Sequence, residues 1–352
     1  MATIKDVAKA TGVSIATVSR VINEEKGVSE ATRKRVRKAM EKLDYRANEI
    51  ARSLKTNQTN RVAVILPSIS RTFFTSIISS IQDTADQLGY SVFFAASNDS
   101  LERERKLVDY FSGQWVDGII LASCIADDSQ SAEYIRHLES LKKNETPIPV
   151  VTLEFALKSD IIDAVSIDHR GAAFDAVSYL IGQGRTKILH VSHPSGNRIG
   201  DMRIRGYKYA LFDAGFPLDE RYIIEGNCTT KSGYLAMDGW LRKGLPFDAV
   251  YCANDQVAVG VMQRLKKAGI RIPEDICVFG NDDSFVCSLL TPSLTTVGVH
   301  KRRMGERAFE LLYSRINGTA PEHRVELLMS HEIFERESTK KGAQVIEHFM
   351  EW

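Results

Sequence analysis

The chain has 352 residues, 43% of them apolar and 26% charged, with a formal net charge of +1. That is ordinary globular composition, and the length suits two or three domains. No apolar run approaches the ~18 residues of a membrane span, and the opening Met-Ala-Thr-Ile-Lys-Asp-Val-Ala-Lys has no apolar secretory core, so membrane-spanning and exported classes are excluded and a cytoplasmic protein is expected.

The charge is unevenly spread. Residues 1–60 hold 13 Lys/Arg against 7 Asp/Glu, a net of +6, and the other 292 hold 33 against 38, a net of −5. A basic segment on an acidic body is the electrostatic footprint of a nucleic-acid-binding head. The five cysteines, Cys124, Cys228, Cys252, Cys277 and Cys287, are scattered and never spaced C-x-x-C. They read as reduced, mostly buried thiols.

Thr3 opens a first helix, with Asp6 as its capping-box partner and Ile4, Val7 and Ala8 at helical spacing. Gly12-Val13 breaks it, Ser14 caps a second helix with Val18, Val21 and Ile22 inward, and Ser29 caps a third, rich in arginine and lysine. Three short helices with a Gly-containing turn fit the helix-turn-helix plan, whose second helix enters the major groove N-terminus first. Arg20 suits guanine O6 and N7, and Ile15 and Ala16 suit thymine methyls. Thr17, Ser19 and Asn23 suit phosphates. Residues 1–46 are therefore expected to form an all-α DNA-binding domain. Residues 47–60 read as a short helix fading into a polar linker, marginal on its own in water.

From Arg61 short apolar strands alternate with amphipathic helices, which predicts parallel sheets covered on both faces. Residues 61–338 are expected to form an α/β domain of two lobes, 61–162 plus 293–323 and 163–292 plus 324–338. A ligand would sit between them at the C-terminal strand ends. The tail, 339–352, is amphipathic but lacks the leucine heptads of a coiled coil, and a homodimer is expected. No P-loop, no G-x-G-x-x-G after the first strand and no metal-spaced His/Cys group is present in the sequence, so neither a cofactor nor catalysis is expected. His190 and His193 read as structural. An exported solute-binding protein would carry a signal and no basic head, and a sugar kinase would carry phosphate-cradling glycines and a catalytic base.

The stretch Ile4-Lys5-Asp6-Val7-Ala8, Gly12-Val13-Ser14 and Thr17-Val18-Ser19-Arg20-Val21-Ile22-Asn23 resembles the head of the lac repressor/gal repressor family. The body is similar to that family's type I periplasmic-binding fold through Val116-Asp117-Gly118-Ile119-Ile120, Arg203-Ile204-Arg205-Gly206-Tyr207, Ala253-Asn254-Asp255 and Gly280-Asn281-Asp282-Asp283. The resemblance implies a repressor that binds a palindromic operator in double-stranded DNA as a dimer, controlled by a sugar or sugar-like effector. It implies that Ile15, Ala16 and Arg20 read bases. Within Ala51-Arg52-Ser53-Leu54-Lys55, Leu54 would wedge into the minor groove, flanked by Ala51 and Lys55 on the DNA. It places Arg203, Asn254 and Asp282 on the effector, with Phe73, Phe74, Glu154 and Phe155 lining its pocket. Asn197 and Cys228 stand where relatives carry other groups, so no particular effector carries over.

Overall fold

The computed structural model describes residues 2–22, 26–45, 58–114, 116–128 and 131–343. Asn23, the hinge positions Ala51, Leu54 and Lys55, and the tail from 344 onward lie outside the described residues. The chain divides into two compact units, Met1–Thr59 and Asn60–Trp352.

The first unit holds α1 (Ile4–Thr11), α2 (Ile15–Ile22) and α3 (Glu30–Lys42). Each start has a chemical cause. Thr3 Oγ1 accepts from Asp6 N while Thr3 N donates to Asp6 Oδ2 at 2.8 Å, a complete capping box. Ser14 Oγ accepts from Thr17 N at 3.1 Å, and Ser29 Oγ accepts from Thr32 N at 3.3 Å. Gly12 ends α1 at φ 69°, in the left-handed region where a side chain is strained. Val7, Ala8, Val18, Val21 and Val36 form the small core between the three helices.

The second unit holds two six-stranded sheets. The first is built from β1 (Arg61–Leu66), β2 (Ser91–Ala96), β3 (Gly118–Leu121), β6 (Val150–Glu154), β7 (Asp163–Ile167) and β13 (Glu326–Met329), in the order β13-β7-β6-β3-β1-β2, all parallel. A two-stranded ribbon, β4 (Lys142–Lys143) and β5 (Thr146–Pro147), stands apart. Alternation along β1 sends Val62, Val64 and Leu66 to one face and Ala63 and Ile65 to the other. The first face packs on α4 (Thr72–Gln87) and α12 (Lys301–Ile316), through Phe74, Ile77, Ile81, Met304 and Leu312. The second packs on α5 (Leu101–Gly113) and α6 (Ser131–Glu139).

The second sheet is built from β8 (Ile188–Ser192), β9 (Ile223–Glu225), β10 (Ala249–Cys252), β11 (Cys277–Asn281), β12 (Thr295–Val299) and β14 (His331–Phe334). Its order is β14-β12-β11-β10-β8-β9, parallel except for the β12–β14 edge pair. Helices α7 (His169–Gly182) and α8 (Arg198–Asp213) cover one face. Helices α9 (Thr230–Lys243) and α10 (Asp255–Lys267) cover the other. A Cβ on Gly260 would stand 1.9 Å from Thr230 O and one on Gly233 2.1 Å from Val257 O. Glycine is what lets these two helix backbones touch. Full burial of side chains such as Trp240, Phe279, Phe309 and Ile77 contributes roughly 1.5–3 kcal/mol apiece.

The sheets correct the expected lobe limits. β7 and β13 belong to the first sheet, not the second, and β12 belongs to the second, not the first. The buried Asp163 explains the first of these. Its carboxylate accepts from Arg315 at 2.6 and 2.8 Å and from Val325 N at 2.7 Å, which ties β7 to α12 and to the start of β13. The chain therefore crosses between lobes three times, at Ile167–His169, Val299–Lys301 and Met329–His331. Among the described residues, no helix is long and apolar enough to cross a membrane.

Candidate functional site

In the head, α2 carries two opposed faces. Val18 and Val21 are buried, while Ile15, Ala16 and Arg20 are exposed, with Thr17 and Ser19 half-buried on the flanks. Positions 15, 16, 19 and 20 share one side of a helix by their spacing. Ile15 is 45% exposed, a large aliphatic side chain that takes no part in the head's buried core. The Thr17 hydroxyl shares a 2.9 Å hydrogen bond with Ser14 at the helix start. On α3, Lys34, Arg35, Arg37 and Lys38 are exposed, and Arg33 lies half-buried with its Nε donating to Val28 O at 3.3 Å.

In the body, the strand order reverses between β1 and β3 in one sheet and between β8 and β10 in the other. Loops leaving the C-terminal strand ends diverge at such a switch point and open a crevice. A cleft of about 510 Å³, counting space open to solvent, lies there. Arg71, Asp99, Cys124 and Glu154 line it from the first lobe, and Asn197, Arg203, Cys228, Asn254 and Asp282 from the second.

Arg203 organises the second-lobe side. It is 4% exposed, and its Nη1 donates to the carbonyl of Ala253. Its Nη2 lies 3.2 Å from Asp282 Oδ1 and 3.4 Å from His169 Nδ1. Burial pushes the Asp282 carboxyl above the ordinary carboxylate range, against the pull of Arg203. Lys301 fixes the Asp282-Asp283 turn by donating to both carbonyls at 2.7 and 2.6 Å. Asn254 and Asn197 each cap a helix, accepting from Val257 N at 2.8 Å and Gly200 N at 2.9 Å. Asn254 Nδ2 also donates to Cys228 O at 3.1 Å. Burial raises the Cys228 thiol to about 11, so it is protonated.

On the first-lobe side Arg71 pairs with Asp99 at 2.5 Å. Glu154 ends β6 at φ 70°, and burial lifts its carboxyl to about 7. Phe73 and Phe74 border the cleft with their rings packed edge to face, centroids 5.1 Å apart, mostly sunk in the core below.

Eight of the nine body residues singled out in the sequence thus meet at one cleft: Phe73, Phe74, Glu154, Asn197, Arg203, Cys228, Asn254 and Asp282. Phe155 does not. It is 4% exposed in the core beneath α5 and α6, with the Arg198 guanidinium 4.6 Å from its ring centroid. His190 is structural, its Nδ1 against Tyr251 O at 3.0 Å and its ring stacked on Tyr207 and Tyr251. His193, by contrast, lines the cleft. Arg71, Asp99, Ser123 and Cys124 were not legible as site residues. Their one signal is position, since each follows the C-terminal end of a first-sheet strand by a few residues.

Comparison with known proteins follows the same division. Residues 3–48 match the model for bacterial regulatory proteins of the lacI family, and residues 177–339 match a periplasmic binding protein-like domain. The chain is 35% identical over 340 residues to the HTH-type transcriptional repressor PurR of Vibrio atlanticus, covering 97% of this chain and 99% of the relative. It is 34% identical to catabolite control protein A of Priestia megaterium, over 96% of this chain and 99% of the relative. Among solved structures, the lac repressor dimer bound to operator and the anti-inducer ONPF is similar at TM-score 0.84 and 28% identity, with 96% and 99% of the two chains covered. A CelR–cellobiose complex is similar at TM-score 0.69 and 30% identity, with 96% and 100% covered.

Proposed function

The chain belongs to the lacI family of bacterial regulatory proteins, and on that footing we propose how its two units divide the work. It is a DNA-binding transcription regulator under small-molecule control, and not an enzyme. The head reads a pseudo-palindromic operator as half of a homodimer, with α2 in the major groove and half-sites about one helical turn apart. Arg20 forks onto a guanine, Ile15 and Ala16 meet thymine methyls, and Thr17, Ser19 and Asn23 hold phosphates. Leu54, between Ala51 and Lys55, wedges into the minor groove. The body binds a sugar or sugar derivative in the interlobe cleft, and the protein works in the cytoplasm.

One observation carries the DNA assignment. The face of α2 opposite the core is built from Ile15, Ala16 and Arg20, two apolar side chains and one forked cation, all exposed. A solvated face needs no isoleucine there, whereas base edges offer both methyls and paired acceptors. Binding-site selection on full-length protein tests it. The Arg20→Ala variant loses its preference at one guanine per half-site, about 1–3 kcal/mol, and keeps the rest of the site. An unchanged preference would falsify the assignment. Operator affinity also falls steeply with salt, since each neutralised phosphate releases counterions.

The lobes give a route for control. A ligand held by Arg203 and Asp282 on one side and Glu154 on the other favours one interlobe angle. Effector and operator then alter each other's affinity by the same factor.

A further inference from the structure

Glu154 is the charge left over in the cleft. Two guanidiniums, Arg71 and Arg203, and three carboxylates, Asp99, Glu154 and Asp282, line it. Arg71 is paired with Asp99 at 2.5 Å and Arg203 with Asp282 at 3.2 Å. The Glu154 residue is only 7% exposed, yet among the described residues its carboxylate receives no hydrogen bond. His169 Nε2 stands 4.0 Å from Oε1, too far for one.

Arg203 and Arg71 both act on the Glu154 carboxylate from a distance, but each is already paired with another carboxylate, and the remaining groups around Glu154 add no cation to it. Arg203 donates to His169 Nδ1, which leaves the imidazole proton on Nε2, where it has no partner. Burial and the nearby Arg203 hold His169 well below the ordinary histidine range. The same two causes, with Arg71 added, act on His193, whose Nδ1 is also buried without a partner. Both rings are therefore neutral. Lys301 is turned to the carbonyls of Asp282 and Asp283, and Arg336 is held by the Asp283 carboxylate at 2.8 Å. The Cys228 thiol adds no charge.

We propose that the effector bears a positively charged amine, as an amino sugar does, and that Glu154 is the residue that selects it by holding the ammonium group. This rests on the reading of the cleft as the effector site. The amine cancels the excess carboxylate and supplies the donors that Glu154 lacks, while the Arg203–Asp282 pair, Asn197 and Asn254 face hydroxyls. An acidic sugar would add to a negative excess that both arginines are already committed to offset. A neutral sugar would leave Glu154 either buried and charged or protonated, and burial raises this carboxyl to about 7 even against the pull of Arg203 and Arg71.

Thermal shift and calorimetry on the full-length protein at neutral pH test this with three matched sets of ligands. The first is glucosamine, galactosamine and fully deacetylated chitobiose. The second is their N-acetylated and unsubstituted counterparts. The third is glucuronate and galacturonate. At least one amine is expected to raise the melting temperature and to bind about 10- to 100-fold tighter than its neutral counterpart, the range of a charge-assisted hydrogen bond. Glu154→Gln should erase that preference. The change is nearly isosteric and removes a buried charge, so the unliganded melting temperature should not fall. Where it does fall, the comparison of amine with neutral ligand on the parent protein still decides. A neutral or acidic sugar that binds more tightly than its amine counterpart overturns the charge assignment and leaves the effector cleft standing. Silence from all three sets overturns both.

Discussion

The head and the body both present polar groups to a partner, yet they hold those groups in opposite ways. The head sets the side chains proposed to read DNA on the outside of one short helix over a core of five buried residues. The body buries most of its proposed recognising side chains and supports them from within, with Glu154 the exception. An exposed arginine such as Arg20 stays hydrated and needs little support. The buried Arg203 needs Ala253 O and Asp282 to be tolerable at all. Substitutions at the internally paired residues of the cleft should therefore cost the body stability, and substitutions on the exposed face of α2 should cost only binding.

The largest expected effect tests that contrast directly. Arg203→Met removes the guanidinium paired with the buried Asp282, leaving only Lys301 nearby, and should destabilise the body by about 3–5 kcal/mol, read as a lower urea midpoint. Arg20→Ala should leave the same midpoint unmoved. Equal losses from the two substitutions would erase the distinction.

The next effect concerns pH. Glu154 is raised from the ordinary 4.5 to about 7 by burial. A carboxyl raised on folding favours the folded state while it is protonated. Its contribution is complete below about 4.5 and is lost as pH climbs through 7, an amplitude on the order of 3 kcal/mol. Glu154→Gln should flatten this part of the urea-stability profile between pH 4.5 and 8, and a profile with the same slope in the variant would show that the carboxylate is already compensated.

The smallest effect lies in the head. Ser29→Ala removes the cap at the start of α3 and should cost about 1 kcal/mol. Because Val36 on α3 completes the head's core, operator binding should weaken with warming while ligand-induced stabilisation of the body is retained. A variant that loses both would mean that the two units do not melt separately.

The same contrast explains what could be read from the chain. The head's caps and apolar spacing are local, so Thr3, Ser14 and Ser29 each mark the residue just before a helix begins. Strand–helix alternation in the body is equally local, and the two parallel sheets were legible from it. Sheet membership was not. Whether Asp163–Ile167 joins one sheet or the other depends on Arg315 and Val325, more than 150 residues away in sequence. The resemblance places Phe155 in the cleft with Glu154 after the same strand, but neighbouring side chains at a strand end leave on opposite sides, and Phe155 goes inward. Arg71 and Asp99 lie 28 residues apart and carry no motif, so only the assembled switch point brings them together.

The three crossings between lobes have a consequence for how such a protein can change over generations. Neither lobe is one continuous stretch, so no single recombination junction can exchange a whole lobe with a relative. Any trade of ligand preference by shuffling would need breakpoints near 168, 300 and 330 at once. New preferences must instead accumulate by point replacement at the loop positions where the two sheets face each other, one side chain at a time.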